Sequence, residues 1–183
     1  MNIQDNIIVL GKIPVTAFDF TRLKESGTQI IGSGLADCDL SIKYQITNQE
    51  MVLQNILNTS IYKERIVVVP EWLYKKYLFF ETLDCMPRFQ TLETYNFDVK
   101  TLSDEALAMF LACWMEYKNI YLFGWDLENE IEKQMLLSIA DAHPHNTIFY
   151  VRKPNPQKIG IFNSVDNIKV VDYNEVREVI KNA

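Results

Sequence analysis

The 183-residue sequence predicts a single α/β domain over residues 1–183, with a mainly parallel sheet and helices on both faces in the Rossmann-like manner. Three observations carry this. Short apolar runs alternate with helical stretches along the chain. The runs are rich in β-branched and aromatic residues and are hydrophobic throughout, as strands covered on both faces require. Each run also ends close to a Gly, Pro or Asp, where a loop begins.

The elements follow in order. NIIVL, residues 6–10, is closed by Gly11 and Pro14, and TQII, residues 28–31, by Gly32 and Gly34. A helix is expected over 48–57, with Met51, Val52, Ile56 and Leu57 on one side. IVVV, residues 66–69, ends at Pro70, and a helix over 71–83 carries Trp72, Leu73, Tyr77, Phe80 and Leu83. Residues 85–100 read as irregular or as a short edge excursion. The stretch 104–117 is apolar almost all round, which predicts a central buried helix capped by Ser103. IYLF, residues 120–123, ends at Gly124. A helix over 127–142 follows, with Ile131, Met135, Leu136 and Ile139 on one stripe and acids at its start. TIFYV, residues 147–151, and IKVV, residues 168–171, are the last strands, and a helix over 174–181 closes the chain. There is no internal repeat, linker or second core.

Composition excludes several classes. Lys and Arg number 18 against 24 Asp and Glu, a formal charge of −6, which argues against a chain built to wrap nucleic acid or an anionic membrane. Hydrophobic residues at 48% argue against disorder. Cys38, Cys85 and Cys113 are widely spaced and read as buried thiols. The amino terminus lacks a basic segment before its apolar run, so it does not read as a signal peptide. No apolar run reaches the ~20 residues that span a bilayer. These features place the protein in the cytoplasm of its producer.

In an open parallel sheet, ligands bind beyond the carboxyl ends of the strands. Here those loops carry Gly11-Lys12-Ile13-Pro14, Gly32-Ser33-Gly34, Gly124-Trp125-Asp126 and Pro154-Asn155-Pro156. Neither GxGxxG nor GxxxxGK[ST] is present, so no dinucleotide fingerprint or P-loop exists. Glycine at such ends serves backbone approach to a ligand or the strand end itself.

The stretch NIIVLGKIPVTAFDFTRLKESGTQIIGSG resembles the opening of the bacterial sialyltransferase-like family, which includes the α-2,3/2,8-sialyltransferases of lipooligosaccharide synthesis. It is equally similar to the related motility-accessory and 6-hydroxymethylpterin-pyrophosphokinase-like proteins. Phe18-Asp19-Phe20-Thr21-Arg22-Leu23 matches the family's Asp-Tyr-Ser-Arg-Leu segment. ALAMFLACWMEYKNIYLFGWDL matches its buried helix and a strand ending Gly-x-Asp-Phe, with Gly124 and Asp126 on the motif positions. TIFYVRKPNP resembles its late strand, with Pro154 and Asn155 on a Pro-Asn pair. The resemblance covers residues 6 to about 156 and implies a nucleotide or nucleotide-sugar ligand; no metal site is expected from the residues. The nucleotide-binding candidates are Gly11, Lys12, Ser33, Gly34, Ser103, Gly124, Asp126 and Asn155, with Lys12 facing phosphates and Asp126 assisting sugar or ribose hydroxyls.

The departures point away from catalysis. Gly11-Lys12-Ile13-Pro14 stands where the family has Asn-Gly-Pro-Ser, and Ser33 and Gly34 where it offers Asn. Ser103, Asp104 and Glu105 replace its Thr-Ser-Gly, putting two carboxylates where amide donors would attract phosphate. The family's long lid after Gly-x-Asp-Phe, with its catalytic His, has no counterpart. The two histidines, His143 and His145, precede a strand and so belong to the opposite edge of the sheet. Asp37 and Asp39 lie near the ligand edge, as a cation pair or as a solvated turn. Lys75 and Lys76 sit among Tyr74, Tyr77, Phe79 and Phe80, and Arg152, Lys153 and Lys158 surround PNP. In an acidic chain these read as snorkelling cations on amphipathic surfaces, and the aromatics also suit a protein partner or self-association. Two functions remain: a reduced glycosyltransferase-like domain that binds a nucleotide or nucleotide-sugar with weak or lost transfer, or a non-catalytic interaction or assembly module of a cell or a virus particle.

Overall fold

The computed structural model describes residues 5–15, 18, 20, 28–36, 42–59, 64–79, 83–85, 101–127, 129–153 and 165–181. Eight parallel strands form one sheet: β1 (Asn6–Leu10), β2 (Gln29–Ser33), β3 (Tyr44–Ile46), β4 (Ile66–Val69), β5 (Leu83–Cys85), β6 (Asn119–Phe123), β7 (Thr147–Arg152) and β8 (Ile168–Asp172). Their spatial order is β5-β4-β3-β2-β1-β6-β7-β8. The described helices are α1 (Glu50–Asn58), α2 (Glu71–Lys76), α3 (Asp104–Trp114), α4 (Glu130–Ala142) and α5 (Tyr173–Lys181). The α/β class with a parallel sheet is therefore as expected from the sequence. From β1 the chain steps outward through β2 to β5, then returns to β6 and steps the other way. The switch point of the sheet lies between β1 and β6.

Alternate residues of each strand serve opposite faces. Ile7 and Val9, Ile31, Ile46, Val68, Ile120 and Leu122, and Ile148 pack with α3 and α4. Ile8 and Leu10, Ile30, Tyr121 and Phe123 pack with Phe18, Phe20 and the α5 residues Tyr173 and Val176. Val67 and Val69 meet Leu53 and Ile56 of α1 and Leu73 of α2. Both faces are covered, which is why the strands read as continuous apolar runs. Helix α3 is the centrepiece: residues 104 to 113 are all buried, and the helix lies against β1, β2, β3 and β6. Ser103 caps it, its hydroxyl accepting from the Ala106 amide at 3.0 Å.

Several expectations need correction. Strands β3 and β5 were not foreseen: both are three residues long, and each carries a polar residue (Gln45, Asp84) that hides an apolar run. Helix α2 stops at Lys76, and Leu83 belongs to β5, paired with Val67. In α1 the residues facing the sheet are Leu53 and Ile56, three apart, whereas Met51, two positions earlier and so rotated to the far side, is 78% exposed. Helix α4 starts at Glu130, with the Asn129 side chain accepting from the Ile131 amide, and Ile131 in its first turn is exposed. Of the irregular stretch expected over 85–100, Cys85 closes β5 and the rest lies outside the described residues.

Because Leu53 is fully buried while Met51 faces solvent, Leu53→Ala is expected to cost about 3 kcal/mol and Met51→Ala less than ~0.5 kcal/mol. Urea denaturation of both variants checks this; equal losses would mean the helix is rotated from the face described.

Candidate functional site

The carboxyl edge at the switch point is built from the ends of β1, β2, β3 and β6 and the first turn of α3. The β1 and β6 ends remain zipped together beyond the strands. The Gly11 amide donates to the Phe123 carbonyl at 2.7 Å, and the Ile13 amide to the Gly124 carbonyl at 2.9 Å. Gly124 has φ +70, and a Cβ built there would lie 2.2 Å from the Ile13 carbonyl oxygen. A Cβ on Gly11 would lie 2.5 Å from the Gly124 carbonyl oxygen. These two glycines let one loop approach the other.

The first turn of α3 lies over this edge and fills it with its own carboxylates. Glu105 Oε1 accepts from the Lys12 amide at 3.1 Å, at the end of β1. Asp104 Oδ1 accepts from the Asn48 amide at 2.8 Å, and its Oδ2 from the Thr47 hydroxyl at 3.0 Å, at the end of β3. The Gln49 side-chain amide donates to Oδ2 at 3.5 Å. Gly34, with φ +55, passes beneath: a Cβ there would lie 2.9 Å from Asp104 Oδ2. Ser103 carries two bonds at once, accepting from Ala106 and donating to Glu132 Oε2 of α4 at 2.7 Å.

A buried polar strut holds the β2 end in place. Gln45 donates to the carbonyls of Gly34 at 2.7 Å and Ala36 at 3.1 Å, and accepts from Arg65 at 2.9 Å. Gly32 leaves room for it, since a Cβ there would lie 2.7 Å from Gln45 Oε1.

The electrostatics follow from burial. Asp104 is 5% exposed, and burial pushes its carboxyl up to about 6. The Asn48 and Thr47 donors pull the other way, and the charges of Glu105 and Glu132 add to the rise. Burial also raises Glu132, with Glu105 and Asp126 pushing in the same direction and the Ser103 hydroxyl and Lys12 opposing.

The candidate residues divide into groups. Gly11, Lys12, Ser33, Gly34, Ser103, Gly124 and Asp126 gather on this edge, and Asn155 lies outside the described residues, as do Asp37, Cys38, Asp39, Phe80 and Lys158. The Ser33 hydroxyl and the Trp125 indole N–H are buried without a hydrogen-bond partner. Thr47, Asn48, Gln49 and Glu132 belong to the site and gave no sequence signal: the first three follow a three-residue strand, and Glu132 sits in an ordinary acidic first turn. His143 is at the opposite edge, closing α4 before β7 and packed against Phe110 at 5.7 Å between ring centroids; burial lowers its pKa. Cys113 is buried and Cys85 half-buried. Lys75 and Lys76 pair with Glu71 and Glu50 on the surface. Among the described residues no group of three or more His, Cys, Asp or Glu is arranged to hold a metal ion, and no helix is long and apolar enough to cross a membrane.

The fold and this edge define a doubly wound α/β protein with an internally occupied switch point. Comparison with protein-family models, curated proteins and solved structures found no match.

Proposed function

We propose that this protein is a sialyltransferase-like domain that no longer transfers sugar and works as a non-catalytic interaction or assembly module. One observation carries the reading: the Lys12 and Asn48 amides, donors at the ends of β1 and β3, are held by Glu105 and Asp104 of α3. An incoming phosphate must displace a covalently tethered carboxylate from each donor and approach two negative charges. Only residues 127–129 separate Asp126 from α4, too few for a lid that excludes water and brings a base. The assembly role is supported by the exposed side chains of Trp72, Leu78 and Phe79 around α2 and the turn after it, since large aromatics anchor interfaces.

Calorimetry with CMP, CDP, UDP and their sugars tests this, read beside light scattering. No heat at millimolar ligand is expected, together with an oligomer. Glu105→Gly, which frees the Lys12 amide, is expected to bring CMP into measurable range. Turnover of CMP-sialic acid by the unaltered protein would overturn the reading, and a monomer at high concentration would remove its assembly half.

A further inference from the structure

We propose that the carboxyl edge of the sheet is a docking surface for an amphipathic helix of another protein, one whose apolar stripe is flanked by Lys or Arg. The inference rests on the preceding reading, in which the edge is closed to nucleotides, and adds what the closed edge holds instead.

The exposed apolar side chains carry it. Among the described residues nine large apolar side chains are exposed, and five of them lie at this edge: Ile13, Leu35, Met51, Trp72 and Ile131, each at least 40% exposed. Ile13 and Leu35 are in the loops after β1 and β2. The other three are each the second residue of a helix that follows a strand: Met51 in α1 after β3, Trp72 in α2 after β4 and Ile131 in α4 after β6. A helical Cβ tilts toward the amino terminus of its helix, so these three lean back to the edge. The sheet order turns scattered positions into a row, because β4, β3, β2, β1 and β6 are successive neighbours and each contributes one residue.

The spacing selects the occupant. Adjacent strands lie about 4.8 Å apart, so the row runs about 19 Å. A helix advances about 4.5–6 Å over three or four residues, so one laid across the strand ends sets one side chain of its apolar stripe against each of them over about 13 residues. Alternate residues of an extended segment are about 6.6 Å apart and fall out of step with the row.

Charge selects the flanks. Glu50, Glu71 and Glu130 stand immediately before Met51, Trp72 and Ile131, and Glu132 follows Ile131. Lys76, Lys75 and Lys133 pair with the first three from farther along the helices, across partly exposed surface where such pairs contribute little. The carboxylates are therefore the outermost charges beside the row, where a partner's cations can take them over. Lys12, beside Ile13, is outnumbered by them. The chain's own charge of −6 weighs against a second copy as the occupant.

The probe is an ~18-residue peptide of Leu and Lys, with Leu on one helical stripe and Lys beside it, titrated into the full chain by calorimetry and ¹⁵N chemical-shift mapping. Saturable binding is expected, with shifts gathered at Ile13, Leu35, Met51, Trp72 and Ile131. The scrambled peptide is expected to bind at least ~10-fold more weakly, as is the striped peptide to the double variant Leu35→Ser with Met51→Ser, whose exposed positions leave the fold intact. Leu78→Ser with Phe79→Ser, at the opposite edge, is expected to bind unchanged. No binding, equal binding of the two peptides, or shifts confined to Ile66, Leu78, Phe79 and Trp114 would overturn the proposal. Loss of self-association in the Leu35 and Met51 double variant would make the occupant a second copy, and vesicle binding to phosphatidylcholine lost in that variant would make it a membrane; either overturns it. The two proposals fail separately. CMP binding by the unaltered protein defeats the occupied-edge reading, whereas failure of the peptide with no nucleotide binding defeats the docking surface alone.

Discussion

Asp104→Asn is expected to stabilise the protein at pH 7 by about 2 kcal/mol, raising Tm by about 4–8 °C. Most buried polar substitutions destabilise, so the sign is diagnostic. Asp104 has a carboxyl near 6 in the fold against 3.8 unfolded. The folded state therefore holds its proton more tightly, and stability is fully present below pH 3.8 and is lost as pH rises through 6. By pH 7 the loss is about 3 kcal/mol. Asparagine keeps the acceptor for the Asn48 amide and can donate to Thr47, whose hydroxyl also accepts from the Gln49 backbone amide; the Gln49 side-chain contact and the Thr47 hydroxyl's own donation are given up. The gain in the variant is expected to shrink to about a third at pH 5, where the native carboxyl is mostly protonated. His143 works in the opposite direction. Its pKa is lowered, so the unfolded chain takes up that proton first and stability falls as pH drops below 6.5. Because His143 is common to both proteins, the difference between their urea curves at pH 7 and pH 5 isolates Asp104. A destabilised Asp104→Asn at pH 7 would mean the carboxylate is held ionised by a partner, contrary to this account.

Gly124→Ala is expected to cost about 4 kcal/mol or more, enough to unfold a marginal domain. Two penalties combine. At φ +70 an L side chain is strained by about 1–2 kcal/mol. Its Cβ would also lie 2.2 Å from the Ile13 carbonyl oxygen, a backbone atom that cannot rotate away. The loop after β1 has to retreat, breaking the Ile13–Gly124 bond and uncovering the edge beneath α3. Gly34→Ala is the control: at φ +55 it meets the end of the Asp104 side chain at 2.9 Å, which can shift, so about 1–2 kcal/mol is expected. Chemical denaturation that ranks Gly34→Ala above Gly124→Ala would contradict the zipped edge.

Much of the fold was legible because burial on both faces leaves a local mark. Strands β1, β4, β6, β7 and β8 are apolar runs ended by Gly, Pro or Asp, and α3 declares itself by being apolar all round behind a Ser cap. What escaped was short or set by distant partners. β3 owes its place to pairing with β2 and β4, and its Gln45 is polar because it props the β2 end. The edge residues were recognised as a group, but their use was not local information. Gly11 and Gly124 read as openings for a ligand, and only the sheet order shows that they sit side by side and serve each other. Asp104 and Glu105 were legible as charges hostile to phosphate. Their hydrogen bonds to Asn48 and Lys12, 56 and 93 residues away in the chain, were not.

The backbone amides of Lys12 and Asn48 give the most direct test of an edge held by the chain's own acids. In a ¹⁵N-labelled sample titrated with CMP to several millimolar at pH 7, both resonances are expected to stay in place in the native protein; in Glu105→Gly the Lys12 resonance is expected to move, while Asn48, still held by Asp104, stays. Saturable shifts of both amides in the native protein would show that a phosphate reaches these donors, and would contradict the account.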